Sequence, residues 1–349
     1  MMNQTATALP RPPLSPQALL LALLLVSLAL ALLGASVGST GLSLEAWLGG
    51  NEDAAQAQVA QQILWQIRLP RSVGAGMAGA LLGLAGAVAQ GLFRNPLADP
   101  YLLGASSGAG LGVAAMLVAL GVSPATAAWA MRVGITGAAF AGAVAAVLLT
   151  LLLAKGTLQT LRLLLAGVIV GVVLAAATAL LTLINPDVLR PMQAFMLGTT
   201  GFLGWQSVLI MAPVLGLSLL GALAASRALD ALSLGEATAR SLGVRIDAMR
   251  LALIAVLALA TGTAVAQAGL IAFVGLVAPH LVRSRLACTH GWLLLLSSLA
   301  GGALLLAADI LARWVIAPQE LPVGVVTSLL GGAYLLWLMH RKPLLERRA

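Results

Sequence analysis

Long apolar runs alternate with short polar segments along the whole chain. Ten of these runs approach or exceed the length of about 20 residues that a helix needs to cross a bilayer. The eighth run is short, and its boundary with the seventh near residues 268 and 269 is indistinct. The pattern predicts an all-α polytopic membrane protein with about ten transmembrane helices. The runs are 17–38, 71–92, 102–121, 130–154, 163–184, 205–225, 248–268, 270–284, 291–312 and 322–339.

The first run admits two interpretations. It could be a signal peptide, because Ala35 and Val37 lie where a cleavage site would be. However, the segment before it carries only Arg11, and many further apolar runs follow. A retained first helix fits this pattern better. We therefore predict one transmembrane domain over 1–349, with residues 1–16 as a cytoplasmic tail.

Composition and charge support the same class. Hydrophobic residues make up 60% of the chain and charged residues only 9%, whereas soluble domains carry about 25% charged residues. The net charge of +8 is explained by cytoplasmic loops and does not require a nucleic-acid surface. With ten helices and both termini in the cytoplasm, 14 of the 19 basic residues lie inside. The five outside are Arg68, Arg71, Arg132, Arg190 and Arg313.

Small residues are spaced to bring helices close together. Gly104, Gly108 and Gly112 follow a four-residue spacing, and Gly79 and Gly83 repeat it. In a membrane, small residues at this spacing allow close backbone packing between helices. We interpret these glycines as packing positions.

Two helix ends share a short sequence. Ala-Val-Ala-Gln ends the second run at 87–90 and the seventh run at 264–267. These two runs cross in opposite directions in the predicted topology. The repeat therefore indicates an inverted-topology repeat of the kind found in transporters.

No catalytic or metal-binding constellation is visible in the sequence. His280, His290 and His340 lie at or beyond the cytoplasmic edge, with no partner at metal-ligand spacing. The glycine-rich stretch 104–108 lacks the lysine of a phosphate-binding loop. We therefore predict that the chain is not an enzyme and binds no metal or cofactor. ATP-driven transport would require a separate ATPase chain.

The acidic residues argue against proton coupling. A proton-coupled transporter usually places an ionisable residue at mid-membrane, and none of the 11 acidic residues lies there. Asp309 comes closest, but it is predicted near the outer face, four residues before Arg313. An i,i+4 ion pair is the simpler explanation. A secondary transporter remains a distant alternative.

The polar segment 226–247 is the longest cytoplasmic loop. Within it, 234–243 has helical propensity and ends in Gly243, which suits a helix C-terminus. A short helix there would present Glu236 and Arg240 to a cytoplasmic partner.

Several motifs together resemble the permease subunits of ABC importers for iron chelates, haem and cobalamin, the type II importers. The order of the motifs along nearly the whole chain matches the family. They are Arg-Leu-Pro-Arg at 68–71, Gln90 to Pro100, 103–109, 162–167, 234–243, Phe-Val-Gly-Leu-Val-Ala-Pro-His at 273–280 and Glu-Leu-Pro-Val-Gly at 320–324.

This resemblance implies the partners of the chain. Two copies would form a homodimer around a central pathway in the bacterial inner membrane. Two ATP-binding cassette subunits would hold ATP and Mg on the cytoplasmic side, and a periplasmic binding protein would deliver the ligand.

The resemblance also implies roles for individual residues. Arg68, Arg71 and Arg313 match arginines that receive acidic residues of the binding protein; arginine forms strong, often bidentate bonds to carboxylates. Asn95 and Leu97, with Thr160 as a looser match, correspond to a cytoplasmic gate. The coupling segment that contacts the ATPase corresponds to Gly235, Glu236, Ala237, Arg240 and Gly243.

The transported ligand is the least constrained expectation. Met192, Phe195 and Met196 are predicted to line the pathway near its outer mouth, where Ala194-Phe195 replaces a bulky aromatic pair common in the family. A pathway without charges suits haem, and thioether side chains adapt to an irregular apolar ligand. Ferric siderophore and cobalamin are the alternatives.

Overall fold

The computed structural model describes residues 15–36, 54–120, 129–154 and 160–340. Within these ranges the chain forms helices and turns and no β-strand. Most of the predicted cytoplasmic tail, residues 1–14, lies outside the described residues, as do the basic residues from Arg341 onward.

Fourteen α-helices make up the described part of the chain. A π-helical turn, Leu64–Arg68, and a 3-10 turn, Pro186–Val188, lie between some of them. The helices are α1 Pro16–Ser36, α2 Ala54–Ile63, α3 Leu69–Phe93, α4 Ala105–Leu120, α5 Trp129–Leu153, α6 Thr160–Ile184, α7 Leu189–Leu197, α8 Trp205–Ala224, α9 Ser226–Ser233, α10 Glu236–Ser241, α11 Ile246–Ala268, α12 Val274–Arg285, α13 His290–Trp314 and α14 Val323–His340.

The hydrophobic pattern identified the long helices correctly. Each of the ten apolar runs overlaps one helix, although not all of these helices are long: α1, α3 to α6, α8 and α11 to α14. Seven helices of the described chain are long and apolar enough to cross a membrane, and α4 and α14 are shorter apolar helices. The prediction of an all-α polytopic membrane protein is confirmed.

Two helices begin later than their apolar runs. The run at 102–121 includes a loop, because Gly104 has φ +80° and α4 begins only at the next residue. The run at 270–284 likewise includes a loop that ends at Phe273, whose φ is +68°. Left-handed residues do not continue a helix, so hydrophobicity alone overestimates both helices at their start.

Helix α3 is the centre of the bundle. It is buried along nearly its whole length and packs against α1, α8, α11, α12 and α13. Its contact with α13 is very close. A Cβ atom added to Gly79 would lie 2.3 Å from the carbonyl oxygen of Gly301, and one added to Gly83 would lie 2.2 Å from that of Ser297. Small residues let the two backbones meet in this way.

The second predicted glycine face is also a packing surface. Cβ atoms at Gly108 and Gly112 of α4 would lie 2.2 Å and 2.1 Å from carbonyl oxygens of Gly142 and Ala138 on α5. Gly104 belongs to the preceding loop instead of the helix. The packing interpretation is therefore confirmed for four of the five glycines.

Candidate functional site

The predicted coupling segment contains the expected short helix. Helix α10 starts after Gly235, which has φ +110°, and ends before Gly243, which has φ +81°. The Gly243 N–H donates to the carbonyl of Arg240 at 2.9 Å, and the Val244 N–H donates to that of Ala239 at 3.1 Å. This pair of bonds is a Schellman motif, which requires a residue with positive φ. Gly243 therefore fixes the end of α10.

One side of this segment faces outward. Ala237 and Arg240 are exposed, whereas Ala239 between them is fully buried. Leu234 and Leu242, on either side of α10, are 67% and 63% exposed. Two exposed leucines around one cation form a compact amphipathic surface at the end of the bundle where α3 terminates.

Glu236 has a different environment from Arg240. Nη2 of Arg250 donates a hydrogen bond to Oε1 of Glu236, and Nη2 of Arg94 lies 3.6 Å from the same oxygen. The Arg250 side chain is only 3% exposed. The sequence predicted that Glu236 and Arg240 would face a partner together. In the structure Glu236 also contacts two arginines of its own chain, and its role in coupling remains a prediction.

The loop between α3 and α4 contains the predicted gate residues. Arg94, with φ +50°, ends α3. Oδ1 of Asn95 accepts the Leu97 N–H at 2.9 Å, and Leu97 is 64% exposed. Thr160 is the first residue of α6, and the environment of its side chain is outside the described part of the structure. The gate assignment remains a prediction for all three residues.

The same loop is tied to the start of α12. The Tyr101 hydroxyl donates to the carbonyl of Ile271 at 3.1 Å, and the Tyr101 N–H donates to Oδ1 of Asp99 at 2.7 Å. Burial raises the pKa of the Asp99 carboxyl, although that N–H bond opposes the shift. Asp99 and Tyr101 line a cavity of about 390 Å³ against the glycines Gly167 and Gly171 of α6. The contact between Tyr101 and Ile271 was not predicted, because these residues are 170 positions apart in the sequence.

The opposite end of α3 carries a buried ion network. Arg71 contacts Asp309 at 3.0 Å and Glu320 at 2.8 Å, and Arg313 contacts Asp309 at 2.8 Å. Thr200 donates a further hydrogen bond to Asp309. Asp309 is 0% exposed, Arg313 3% and Arg71 8%. Two cations and two anions therefore balance one another where α3 begins and α13 ends.

The predicted Asp309–Arg313 pair is part of this larger network. The i,i+4 contact is confirmed, but Asp309 also holds Arg71, which is 238 positions away in sequence. Arg313 additionally donates to the carbonyl of Gly34 at 2.8 Å. Arg71 and Arg313 are thus brought together, yet they are buried and engaged inside the chain. Of their two carboxylate partners, only Glu320 has an accessible side chain, at 34%.

Arg68 lies beside this network in a more open position. It is partly exposed, and its guanidinium donates to the carbonyl of Ser36 at 3.1 Å. The binding-protein docking role of Arg68, Arg71 and Arg313 remains a prediction. The structure makes Arg68 the most accessible of the three.

The predicted pathway residues do not share one environment. Met192 is 2% exposed, and a Cβ added to Gly110 of α4 would lie 3.4 Å from its terminal methyl carbon. Met196 is 55% exposed. Phe195 is partly buried, and its carbonyl accepts the Leu270 N–H at 3.0 Å. Met192 therefore packs inside the subunit instead of presenting an exposed lining, and the pathway role of Met196 and Phe195 remains a prediction.

These features describe a helical membrane protein with two chemically distinct ends joined by one central helix. Comparison with known proteins gives the class. The model of the FecCD transport family matches residues 19–341. The chain belongs to this family, and it is a permease of the ABC importer type.

Two relatives are equally identical to the chain but differ in coverage. The hemin transport system permease protein HmuU of Yersinia pestis is 41% identical over 94% of this chain and 96% of that protein. The vitamin B12 import system permease protein BtuC of Escherichia coli O157:H7 is 41% identical over 79% of this chain and 83% of that protein.

Solved structures agree with this assignment. An ABC transporter assigned to the metal-chelate type, in an inward-facing conformation, superposes with a TM-score of 0.82 and 29% identity, covering 94% of this chain and 100% of that one. PsaBC from Streptococcus pneumoniae has a TM-score of 0.53 at 20% identity, covering 77% of this chain and 91% of that one. The second likeness concerns the fold alone.

Proposed function

We propose that this chain is the permease of a haem importer of the bacterial inner membrane, powered by ATP and Mg on a separate ATPase subunit. The observation that carries the choice of haem is the 41% identity to the hemin permease over nearly the full length of both chains. The cobalamin permease reaches the same identity over a smaller share of each chain. Cobalamin and ferric siderophore are therefore the alternative ligands.

The arrangement of the helices supports a ten-helix inverted repeat. The seven long spans, the shorter apolar helices α4 and α14, and α12 add up to ten. An even number places both termini on one side, and the distribution of basic residues makes that side cytoplasmic. The packing pairs correspond as well. Helix α3 packs on α13 as α11 packs on α5, and α4 pairs with α5 as α12 pairs with α13.

A second copy of the chain would complete the pathway. Helix α6 leaves a row of apolar side chains exposed, including Leu161, Leu165, Val168 and Val172. These positions recur every three or four residues and so form one face of the helix. In a homodimer this face would contribute to the subunit contact and to an apolar passage between the subunits.

The two ends of α3 then have separate roles. A loaded binding protein docks near Arg68, and the ATPase contacts the exposed side of α10. ATP binding draws the ATPase subunits together, and the segment 226–247 transmits this movement to the bundle. The loop with Asn95 and Leu97, together with Thr160, opens and closes the cytoplasmic side.

Reconstituted transport tests this proposal. Proteoliposomes would contain the permease and its ATPase, with binding protein loaded with haem, a ferric siderophore or cobalamin. We expect ATP-dependent accumulation of haem. Accumulation of only cobalamin or siderophore would overturn the choice of ligand, and uptake that persists without ATP would favour a proton-coupled transporter.

Arg68 provides a direct test of the docking surface. Arg68→Glu should weaken association with the binding protein, because an attractive pair of partly exposed charges becomes a repulsive one. Such a reversal is worth about 1–2 kcal/mol, or roughly five- to thirty-fold in Kd. Association would be measured by surface plasmon resonance at several salt concentrations, since rim charges act on the encounter rate.

The matched control is Arg190→Glu, which reverses an exposed arginine on the same predicted side. It should leave the Kd within about twofold, and both variants should retain basal ATP hydrolysis. If Arg68→Glu binds as tightly as the wild type with no change in salt dependence, Arg68 is an interfacial anchor and not a docking residue.

A further inference from the structure

We propose that Glu236 is the residue through which α10 moves the transmembrane bundle, and that it is not a contact for the ATPase. This inference rests on the proposed function, in which the exposed side of α10 meets an ATPase subunit. In this role Glu236 is an internal positioning residue. It transmits the movement of α10 to α11 and α3.

The first connection is from α10 to α11. Oε1 of Glu236 accepts a hydrogen bond from Arg250, which lies in the first turns of α11 next to the buried residues Met249 and Leu253. This bond satisfies a guanidinium that is almost completely buried, although the Glu236 side chain itself is 30% exposed. A displacement of α10 would therefore pull directly on the start of α11.

The second connection is from α10 to α3. The same Glu236 oxygen lies 3.6 Å from Arg94, the left-handed residue that ends α3. The neighbouring Asn95 N–H donates to the carbonyl of Gln90 at 3.1 Å. The predicted gate loop therefore begins at the residue that Glu236 contacts.

Gln90 continues this connection to α12. Its amide nitrogen donates to the carbonyl of Leu276 at 3.3 Å, and its amide oxygen accepts a hydrogen bond from Arg283. A single carboxylate at the start of α10 thus meets α11 directly and reaches α3 and α12 through the end of α3. All three helices flank the two loops that the bond from Tyr101 to Ile271 joins.

The most exposed side chains of the segment do not include that of Glu236. Ala237, Arg240, Leu234 and Leu242 are exposed, whereas the Glu236 side chain is 30% exposed and already bonded to Arg250. Docking and transmission therefore use different side chains of the same short helix. A substitution can remove one while sparing the other.

The test uses Glu236→Gln in the full transporter, in proteoliposomes with ATPase and binding protein. Gln keeps the size of the side chain and removes its charge. We expect the permease to bind the ATPase with a Kd within about twofold of the wild type. The number of ligands transported per ATP hydrolysed should fall at least about tenfold. A residue that only supports folding would change the yield and thermal stability but not this ratio.

Three further variants make the test decisive. Arg94→Gln removes the positive charge that faces Glu236 at the end of α3. It should also lower the number of ligands transported per ATP hydrolysed. Asp187→Asn, an exposed acid outside this segment, should leave it unchanged. Arg240→Gln should instead weaken binding of the ATPase.

The possible results separate this inference from the proposed function. If the wild type binds no ATPase, the proposed function fails before any variant is measured. If Glu236→Gln loses ATPase binding as Arg240→Gln does, Glu236 is a docking residue. If both Glu236→Gln and Arg94→Gln transport at the wild-type ratio, Glu236 transmits nothing. The last two results would each overturn the inference.

Discussion

Replacing Asp309 with Asn is expected to prevent stable folding of most of the permease. The substitution keeps the shape of the side chain and removes the negative charge that Arg71 and Arg313 share. Asp309 is fully buried, and removing one partner of a buried ion pair costs about 3–5 kcal/mol. That is a large share of the stability of a typical domain. The measurement is the yield of detergent-extracted monodisperse protein and its unfolding temperature.

Glu320→Gln is the matched control for Asp309→Asn. Glu320 also contacts Arg71, but a third of its side chain is exposed. Water can therefore replace much of that interaction, and exposed ion pairs contribute only about 0–1 kcal/mol. We expect near-normal yield for this variant. Equal losses in the two variants would contradict the view that Asp309 is the centre of the network.

The ion network bears on how a binding protein could engage these arginines. Arg71 and Arg313 lie side by side at one end of the bundle, as a docking site would require, but both are neutralised within the chain. A partner carboxylate would have to replace Glu320 to reach Arg71. Arg68 is more exposed than these two arginines, and one of its bonds is to the main-chain carbonyl of Ser36. If a binding protein docks at this end of the bundle, we expect Arg68 to be easier to reach than Arg71 and Arg313.

Sequence reasoning succeeded where one local pattern determines the structure. Apolar runs identified the long helices, glycine spacing identified two close helix contacts, and Gly243 marked the end of α10. Each of these depends on residues within a few turns of one another. The pair Asp309–Arg313 was found for the same reason.

The errors concern contacts between distant parts of the chain. Met192 is apolar and near a helix end, and only the packing of α7 against α4 decides that it is buried. The contacts of Glu236 with Arg94 and Arg250 were also not predicted. Side chains lean toward the N-terminus of their helix, so the first residue of α10 reaches back to Arg94 and Arg250 while Arg240 stays outside. Four-residue spacing alone cannot distinguish the two orientations.

Gly86→Ala is expected to disrupt the crossing of α3 and α12. A Cβ at Gly86 would lie 1.8 Å from the carbonyl oxygen of Gly275, well inside the ordinary contact distance of 3.4 Å. A Cβ at Gly275 would in turn lie 2.6 Å from the ring of Pro100. Because backbone and a proline ring surround this point, no flexible side chain can move aside. Overpacking of this kind typically costs about 1–3 kcal/mol, sometimes more.

The crossing also holds the loop that contains Asn95 and Leu97, so the effect should extend beyond stability. We expect Gly86→Ala to lower the unfolding temperature and to reduce transport even in the fraction that folds. Gly216→Ala is the control, since within the described part of the chain no heavy atom outside the local helix backbone lies within 4 Å of a Cβ placed there. Alanine is favoured over glycine in a helix by up to about 1 kcal/mol, so this variant should be neutral or slightly stabilised. Equal behaviour of the two variants would mean that α3 and α12 can separate freely, and that their contact does not position the loop.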